Sequence, residues 1–175
     1  MNSNSLFLAR LPIVTPGVSI VRMELGDLDR LYEIESDPIT RTHLAGPGPG
    51  AKKDWIPKAR AMVLDEMAPG AVRLSNSDAI IGRCTLSCSS PDSYSLEIVL
   101  ASAFLGHGYG TEVRRTLLRV AFDELGAYQV TAYTKLLNAR ARALALSAGF
   151  KETSTDNFWR YFTLSQADYH SLEME

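Results

Sequence analysis

Hydrophobic and polar positions alternate in several short stretches of this chain, and they repeat at helical spacing in others. Alternation or short apolar runs predict strands at residues 18–23, 71–74, 79–87, 94–100, 129–135, 150–153 and 158–164. Apolar positions three or four residues apart predict helices at residues 28–37, 38–44, 52–67, 112–125 and 139–148. Helices mixed with hairpins and a late strand–helix–strand unit predict an α+β fold with a mixed sheet.

The predicted elements lie between residues 17 and 170, which are expected to form a single domain. Residues 1–16 are interpreted as a loose N-terminal lead-in, in which the apolar run Leu6-Phe7-Leu8 could pack on the domain, and residues 171–175 as a tail. The Gly-Pro repeat at residues 46–50 predicts a loop, and residues 76–78 and 89–92 have the composition of turns.

Composition narrows the functional classes. The chain has 175 residues, 46% of them hydrophobic and 22% charged, and its net charge is −2. The sequence contains no prominent run of basic residues, so a nucleic-acid-binding surface is not expected. No apolar stretch resembles a signal peptide or a membrane span, so no membrane association is expected.

Two cysteines, Cys84 and Cys88, fall in one predicted strand. Four residues of strand span about 13 Å, which exceeds the roughly 7 Å limit between the Cα atoms of a disulfide. Two cysteines without neighbouring histidines do not favour a zinc site, so no metal is expected. Free thiols favour a reducing compartment, hence a cytoplasmic protein.

The clearest chemical signal is the segment Leu105-Gly106-His107-Gly108-Tyr109-Gly110-Thr111 between a predicted strand and a predicted helix. Glycines let backbone N–H groups approach a ligand, and the helix N-terminus stabilises an anion such as a phosphate. The spacing differs from the P-loop and fits the dinucleotide fingerprint poorly. A plain tight turn and a site for another nucleotide both remain open from this segment alone.

A second signal follows at Asn138, which is a suitable N-cap for the predicted helix that ends before Gly149-Phe150. A Glu-bearing strand at residues 96–100, the glycine turn, a helix, a strand, this Asn-led helix and Gly-Phe follow one another in order. This series resembles the GNAT superfamily of acetyl-CoA-dependent N-acyltransferases. Residues 18–31 and 159–169 are similar to the RimJ/RimL branch, whose characterised members acetylate N-terminal amines of ribosomal proteins.

The resemblance implies about seven strands in a mixed, mostly antiparallel sheet flanked by helices, with a splay between the fourth and fifth strands. It implies transfer of an acetyl group from acetyl-CoA to a primary amine, on a protein N-terminus or a small molecule, by direct attack in a ternary complex. A homodimer is expected by the same analogy. The alternative is a GNAT-like module that binds CoA or an acyl-CoA without turnover.

The resemblance also implies roles for particular residues. The glycine turn would hold the CoA diphosphate through its amides, with His107 and Thr111 either adding contacts or serving only as loop and helix residues. The fourth strand would offer backbone groups to the pantetheine arm, and Asn138 would meet the same arm. Arg140 and Arg142, near the start of the helix after Asn138, would either meet the 3′-phosphate or lie on a solvated face. The expected cofactor-binding residues are Val99, Leu100, Ala101, Leu105, Gly106, His107, Gly108, Tyr109, Gly110, Thr111, Asn138 and Arg142.

Two catalytic positions are expected. Glu97 is the candidate general base because burial in an apolar strand would make its carboxylate more basic; the alternative is a salt-bridged glutamate. The amide of Leu100 is the candidate oxyanion donor. Many GNAT enzymes have a tyrosine seven residues after the Asn, but this chain has Ala145 there, so no general acid is assigned. Tyr133 either packs or reaches the cleft. Three further residues either line the acceptor side of the cleft or serve packing: His43, Trp55 and Trp159.

Overall fold

The computed structural model describes residues 5–44, 48–65 and 68–173. Their strands form one sheet in the order β1-β2-β3-β4-β5-β6-β8-β7. The strands are β1 (Ile13–Val14), β2 (Val18–Arg22), β3 (Gly70–Leu74), β4 (Ile80–Ser90), β5 (Ser93–Leu100), β6 (Gln129–Lys135), β7 (Lys151–Thr155) and β8 (Trp159–Ser165).

All pairings in this sheet are antiparallel except that of β5 with β6, which is parallel. The predicted α+β fold is therefore confirmed, and the seven predicted strands correspond to β2–β8. The eighth, β1, is a two-residue strand that pairs with β2, too short to leave an alternation in the sequence.

Seven helices flank the sheet within the described residues. They are α1 (Ser5–Leu8), α2 (Leu28–Ser36), α3 (Pro38–His43), α4 (Lys52–Leu64), α5 (Tyr109–Arg119), α6 (Ala139–Ser147) and α7 (Gln166–Glu173). Of the residues predicted as the C-terminal turn of α4, 66 and 67 lie outside the described ranges, as do residues 46 and 47 of the Gly-Pro loop.

The two faces of the sheet carry different helices, as the alternation in β3 shows. Val72 packs into the main core with Val113 and Leu117 of α5. Its neighbour Ala71 packs into a smaller cluster with Leu31 of α2 and Ala59 of α4. Two-sided burial holds the central strands in place and leaves their ends to form a site.

The predicted lead-in is packed rather than loose, within the described residues 5–16. Phe7 is fully buried and Leu8 nearly so, and both belong to the main core. The apolar run Leu6-Phe7-Leu8 allows for this packing, but a single turn of helix is too short to show helical periodicity, so the pattern does not predict α1 itself.

The C-terminal end also departs from the prediction. Residues 171–173 of the expected tail belong to α7, while residues 174 and 175 lie outside the described ranges. Tyr169 of α7 stacks on Phe122 with ring centroids 4.6 Å apart, and this contact holds the helix against the core.

The helix after the glycine turn is not uniform. The predicted helix over 112–125 is α5 followed by a wider π-helical turn at Val120–Glu124. In that turn the Leu125 amide donates to the Val120 carbonyl, five residues back. The widened turn buries Val120, Ala121 and Phe122.

Candidate active site

A cleft opens where β5 and β6 diverge. Their parallel pairing covers three residues of each strand, Ser93–Ser95 against Gln129–Thr131, although β5 continues to Leu100 and β6 to Lys135. The cleft between the diverging ends has a volume of about 250 Å³. Residues of α3, β5, β6 and α6 line it, together with Gly110 and Arg114 of α5 and Trp159 of β8.

The edge of β5 that faces this cleft carries free backbone groups. The Ala101 amide donates across to the Ile81 carbonyl beside β4, at 2.8 Å. Backbone groups alternate sides along a strand, so those of Leu100 and Ile98 point away from β4 and into the cleft. The Leu100 amide therefore faces the cleft, while the Val99 side chain is buried with Ile34 on the α2 face.

Gly82 allows the close approach of β4 to this part of β5. It is the register partner of Leu100, and a Cβ at position 82 would come within 2.1 Å of the Val99 carbonyl oxygen. Any larger residue would therefore push β5 away from its present course.

The glycine turn lies at the N-terminus of α5. Gly106 and Gly108 have φ values of +88° and +87°, which side-chain-bearing residues adopt only with strain. The amides of Leu105 and Thr111 are bonded internally, to the carbonyls of Ser102 and Gly108.

Between them, the five amides of residues 106–110 donate no hydrogen bond to any described part of the chain. Five consecutive free N–H groups at a helix N-terminus form a cradle for an anion. The segment with free donors, residues 106–110, is one residue shorter at each end than the segment expected from the sequence, residues 105–111.

Two residues of the cradle, His107 and Tyr109, have side-chain rings in contact with each other. The two rings stack with centroids 5.9 Å apart, and the His107 Nδ1 atom lies 3.2 Å from the Leu105 carbonyl oxygen. Tyr109 also packs against the main core. These contacts shape the turn without closing it.

Two arginines carry positive charge to the cradle and the cleft. The Arg140 guanidinium lies 3.6 Å from the position that a Cβ on Gly106 would take, and both Arg140 and Arg114 line the cleft. Neither has an ion-pair or hydrogen-bond partner among the described residues. Burial, and then repulsion from Arg115, lowers the pKa of Arg114 below its ordinary value, as expected for a cation held without a counter-ion.

Arg142, the arginine expected to contact the cofactor, is engaged elsewhere. Its Nε atom donates to Glu152 of β7 at 2.9 Å, and it does not line the cleft. The structure thus brings Arg140, not Arg142, to the glycine turn.

Asn138 has the cap role expected of it. Its side-chain oxygen accepts a hydrogen bond from the Ala141 amide at 3.0 Å, which fixes the start of α6. The residue also lines the cleft, with its side-chain NH₂ group available to a ligand.

Glu97 lines the cleft and is held by an arginine. Arg83 of β4 donates to the Glu97 carboxylate at 2.6 and 3.4 Å, and it also donates to Glu35 of α2 at 2.5 Å. Burial by itself would lower the pKa of Arg83, but its attraction to the two carboxylates raises that pKa above its ordinary value. The cluster carries a net negative charge and fixes the orientation of Glu97, whose side chain is 36% exposed. Glu97 is thus the salt-bridged glutamate of the alternative interpretation and not an unpaired carboxylate buried in an apolar strand.

Arg83 and Glu35 were not singled out from the sequence. Arg83 is a lone cation in an apolar stretch, as Glu97 is a lone anion in the next one. Once the hairpin register sets Arg83 opposite Val99, the pair becomes recognisable as diagonal neighbours on one face of the sheet.

The acceptor side of the cleft is partly as expected. His43 and Trp159 line the cleft, and so does Tyr133. Trp55 has the packing role, the other alternative for this residue: it packs against Tyr32 of α2, with ring centroids 5.6 Å apart, and does not line the cleft.

Two further observations concern the described residues. They contain no group of three or more His, Cys, Asp and Glu side chains arranged to hold a metal ion. None of their helices has the length and apolar character required to cross a bilayer.

Most of the chain is similar to a known protein family. The sequence model of the acetyltransferase (GNAT) domain family matches residues 18–151. An acetyltransferase (GNAT family) from Bacillus anthracis has a TM-score of 0.78 at 16% identity, over 90% of this chain and 99% of that chain.

Two other solved structures are similar. A GCN5-related N-acetyltransferase from Brucella melitensis has a TM-score of 0.77 at 18% identity, over 94% of this chain and 83% of that chain. The spermidine/spermine N-acetyltransferase SpeG from Vibrio cholerae has a TM-score of 0.73 at 15% identity, over 91% of this chain and 99% of that chain. At these identities the likeness concerns the fold.

Proposed function

Because this chain belongs to the GNAT acetyltransferase family and is therefore an acyltransferase, we propose that it transfers an acetyl group from acetyl-CoA to a primary amine. The acceptor is a protein N-terminus or a small-molecule amine, which attacks the thioester directly in a ternary complex. One observation carries the proposal: the open edge of β5 and Glu97 line one cleft together with Gly110, the last residue of the five whose amides are free at the N-terminus of α5.

The residues present fit acetyl-CoA. The amides of residues 106–110 bind the diphosphate, and the N-terminus of α5 adds a partial positive charge. Arg140 and Arg114 supply the cationic side chains, since each lacks a protein counter-ion among the described residues. Of the expected residues Val99–Ala101, Leu100 binds the pantetheine arm through its backbone together with the Asn138 side chain, because the backbone groups of Ala101, and by alternation those of Val99, face β4.

Glu97 acts as the general base and takes a proton from the attacking amine. Arg83 holds the carboxylate at the cleft while leaving it partly exposed to the acceptor. The Leu100 amide donates to the oxyanion that forms as the nitrogen adds to the thioester carbon. Both groups are held by β5, so their separation is fixed by the sheet.

The acceptor binds at the other mouth of the cleft, near His43 of α3 and Trp159 of β8. A net negative cluster around Arg83 attracts a cationic amine. The two ends of the chain favour the RimJ/RimL-like branch, hence a protein N-terminus in the cytoplasm, where the free thiols of Cys84 and Cys88 would persist.

The test is a thiol-release assay with acetyl-CoA over a panel of amines that includes N-terminal peptides, amino acids, polyamines and aminoglycosides. We expect amine-dependent release of CoA with at least one class. Binding of acetyl-CoA without any amine-dependent thiol would favour the non-catalytic module instead.

The role of Glu97 is tested in the same assay. Glu97→Gln should lower kcat/KM about 100-fold, the lower end of the range for general-base catalysis, with unchanged affinity for acetyl-CoA. Glu35→Gln is the matched control, because it removes a carboxylate from the same arginine but not from the cleft, and it should keep most of the rate. Full activity in Glu97→Gln would show that the base lies elsewhere.

A further inference from the structure

Departure of CoA as a thiolate leaves a sulfur that must acquire a proton. Five ionisable side chains line the cleft: His43, Glu97, Arg114, Tyr133 and Arg140. Arginines do not give up a proton near neutral pH, and Glu97 is already assigned as the base. His43 and Tyr133 are both exposed, but the ring of Tyr133 is held by Trp159, which makes Tyr133 the donor best held by its surroundings.

Tyr133 lies on β6, beyond the point at which β6 diverges from β5, the strand that carries Glu97. Continuing the register of Ser93 with Gln129 and Ser95 with Thr131 by two residues relates Glu97 to Tyr133. The two strands are no longer paired at this level, and Glu97 and Tyr133 both line the cleft that opens between them.

The ring of Tyr133 is fixed while its hydroxyl is free. The ring meets Trp159 edge-on, with centroids 5.4 Å apart. The hydroxyl has no hydrogen-bond partner in the described part of the chain. The tyrosine directly opposite on β8, Tyr161, differs in this respect, because its hydroxyl donates to Asp156 at 2.9 Å.

The surroundings of Tyr133 favour its protonated form. Burial, and then the charge of Glu97, raise the pKa of Tyr133 above its ordinary value, while Arg83 acts in the opposite direction. The other titratable groups that face it are Tyr161 on β8, His43 across the cleft and Lys135 on the same face of β6. The phenol is therefore a hydroxyl, not a phenolate, at neutral pH.

On the α6 side, a small residue, Ala145, borders the cleft. Ala145 lines the same cleft and places only a methyl group there. No hydroxyl on this part of α6 competes for the role, since the residues of α6 that line the cleft are Arg140, Ala141, Leu144 and Ala145.

We propose that Tyr133 donates the proton that the departing CoA sulfur receives, an inference that rests on the proposed function. As the amine nitrogen bonds to the acetyl carbon, one N–H proton passes to Glu97. The C–S bond then breaks, its electron pair stays on sulfur, and the Tyr133 hydroxyl proton passes to that sulfur. Transfer of the Glu97 proton to the Tyr133 phenolate restores both residues, so an amine and acetyl-CoA yield an amide and CoA thiol.

The first experiment compares Tyr133→Phe with Tyr161→Phe. Tyr133→Phe keeps the ring contact with Trp159 and removes only the hydroxyl. We expect its kcat to fall about 100-fold, with the KM for acetyl-CoA and the Tm unchanged. Tyr161→Phe removes a hydroxyl that is bonded outside the cleft and should keep the wild-type kcat.

A second variant separates proton donation from packing. Incorporation of 2,3,5-trifluorotyrosine at position 133 retains the ring and hydroxyl but lowers the pKa of the phenol. The basic limb of the kcat–pH profile should move to lower pH, because the phenol loses its proton earlier. A profile identical to that of the wild type would overturn the inference, as would a Tyr133→Phe enzyme with full kcat.

These outcomes are distinguishable from failure of the proposed function. A wild-type enzyme that releases no thiol with any amine overturns both proposals. A wild-type enzyme that is active and depends on Glu97, but tolerates Tyr133→Phe, overturns the role of Tyr133 alone.

Discussion

Arg140 and Arg142 lie on opposite sides of α6, because two residues correspond to about 200° of rotation in a helix of 3.6 residues per turn. Arg140 faces the glycine turn, while Arg142 donates to Glu152. Similar charges two positions apart therefore serve different purposes, one ligand binding and the other the junction of α6 with β7.

This difference yields a matched pair of variants. Arg140→Ala should weaken acetyl-CoA binding about tenfold, since a charge-assisted contact contributes about 1.5 kcal/mol or more. Arg142→Ala should leave the affinity unchanged, because its guanidinium is bonded to Glu152. Isothermal titration calorimetry at two salt concentrations measures both effects, and the contribution of Arg140 should shrink at the higher salt. Equal losses in the two variants would contradict the assignment.

At this scale the sequence predicts what depends on near neighbours. Asn138 caps α6 through the amide three residues on, so its cap role follows from local spacing alone. The choice of Arg140 over Arg142 depends on how α6 rests on the sheet, and the pairing of Arg83 with both Glu97 and Glu35 depends on β4 meeting β5 and α2. Neither contact is encoded by a pattern within one segment.

At the scale of elements, the glycine turn combines a strained backbone with free donors. Gly108 is the N-cap of α5, at φ +87°, and a Cβ there would meet no atom within 4 Å. An alanine at this position would therefore be penalised by backbone strain and not by a collision. Strain that moves the backbone also turns the amides of the cradle.

Gly108→Ala should lower the free energy of unfolding by about 1–2 kcal/mol, the cost of a left-handed conformation for a residue with a Cβ, and should also weaken acetyl-CoA binding. Gly126→Ala is the control, because Gly126 has φ +67°, has open space around its Cβ position and lies outside the cleft. Urea denaturation should show comparable destabilisation in both variants, whereas calorimetry should show lost affinity only in Gly108→Ala. Lost affinity in both would attribute the effect to general destabilisation.

The elements that the sequence predicts well are those long enough to show a period. The boundaries of β6 agree with the predicted strand at 129–135, and α6 begins directly after its predicted cap. The single turn of α1 and the two residues of β1 are shorter than one repeat of any pattern. The π-helical turn at Val120–Glu124 keeps its apolar residues buried, so it is indistinguishable in sequence from a regular helix.

At the scale of the whole molecule, Glu152 connects three elements at the far edge of the sheet. Its carboxylate accepts hydrogen bonds from Arg142 of α6 at 2.9 Å, Arg160 of β8 at 2.7 Å and Thr155 of β7 at 2.9 Å. The hydrogen bonds from Arg160, then Arg142 and Thr155, lower the pKa of Glu152 to about 2. The edge strand β7, most of which is exposed, is thus held to the sheet through an ionised carboxylate.

A lowered folded-state pKa stabilises the protein above the ordinary pKa of the group, and this contribution is lost as the pH falls toward the folded-state value. The part of the stability due to Glu152 should therefore disappear between about pH 4.5 and pH 2. Thermal melts followed by circular dichroism should show a Tm difference between the wild type and Glu152→Gln that is present at pH 7 and vanishes near pH 2. Glu33→Gln, which removes an exposed ion pair with Arg30, should leave the acid branch of the profile unchanged.

The N-terminal segment decides how far the folded unit extends. Phe7 is fully buried, and its ring lies 3.3 Å from the position that a Cβ on Gly70 would take, at the start of β3. Leu6, its neighbour, remains 37% exposed. Phe7→Ala should lower the free energy of unfolding by about 3–5 kcal/mol, the usual cost of removing a buried aromatic ring, whereas Leu6→Ala should change it by about 0.5 kcal/mol or less. Urea denaturation measures both, and a loss below about 1 kcal/mol in Phe7→Ala would mean that the core of the sheet closes without this segment, with the domain starting at β2 as the hydrophobic pattern predicts.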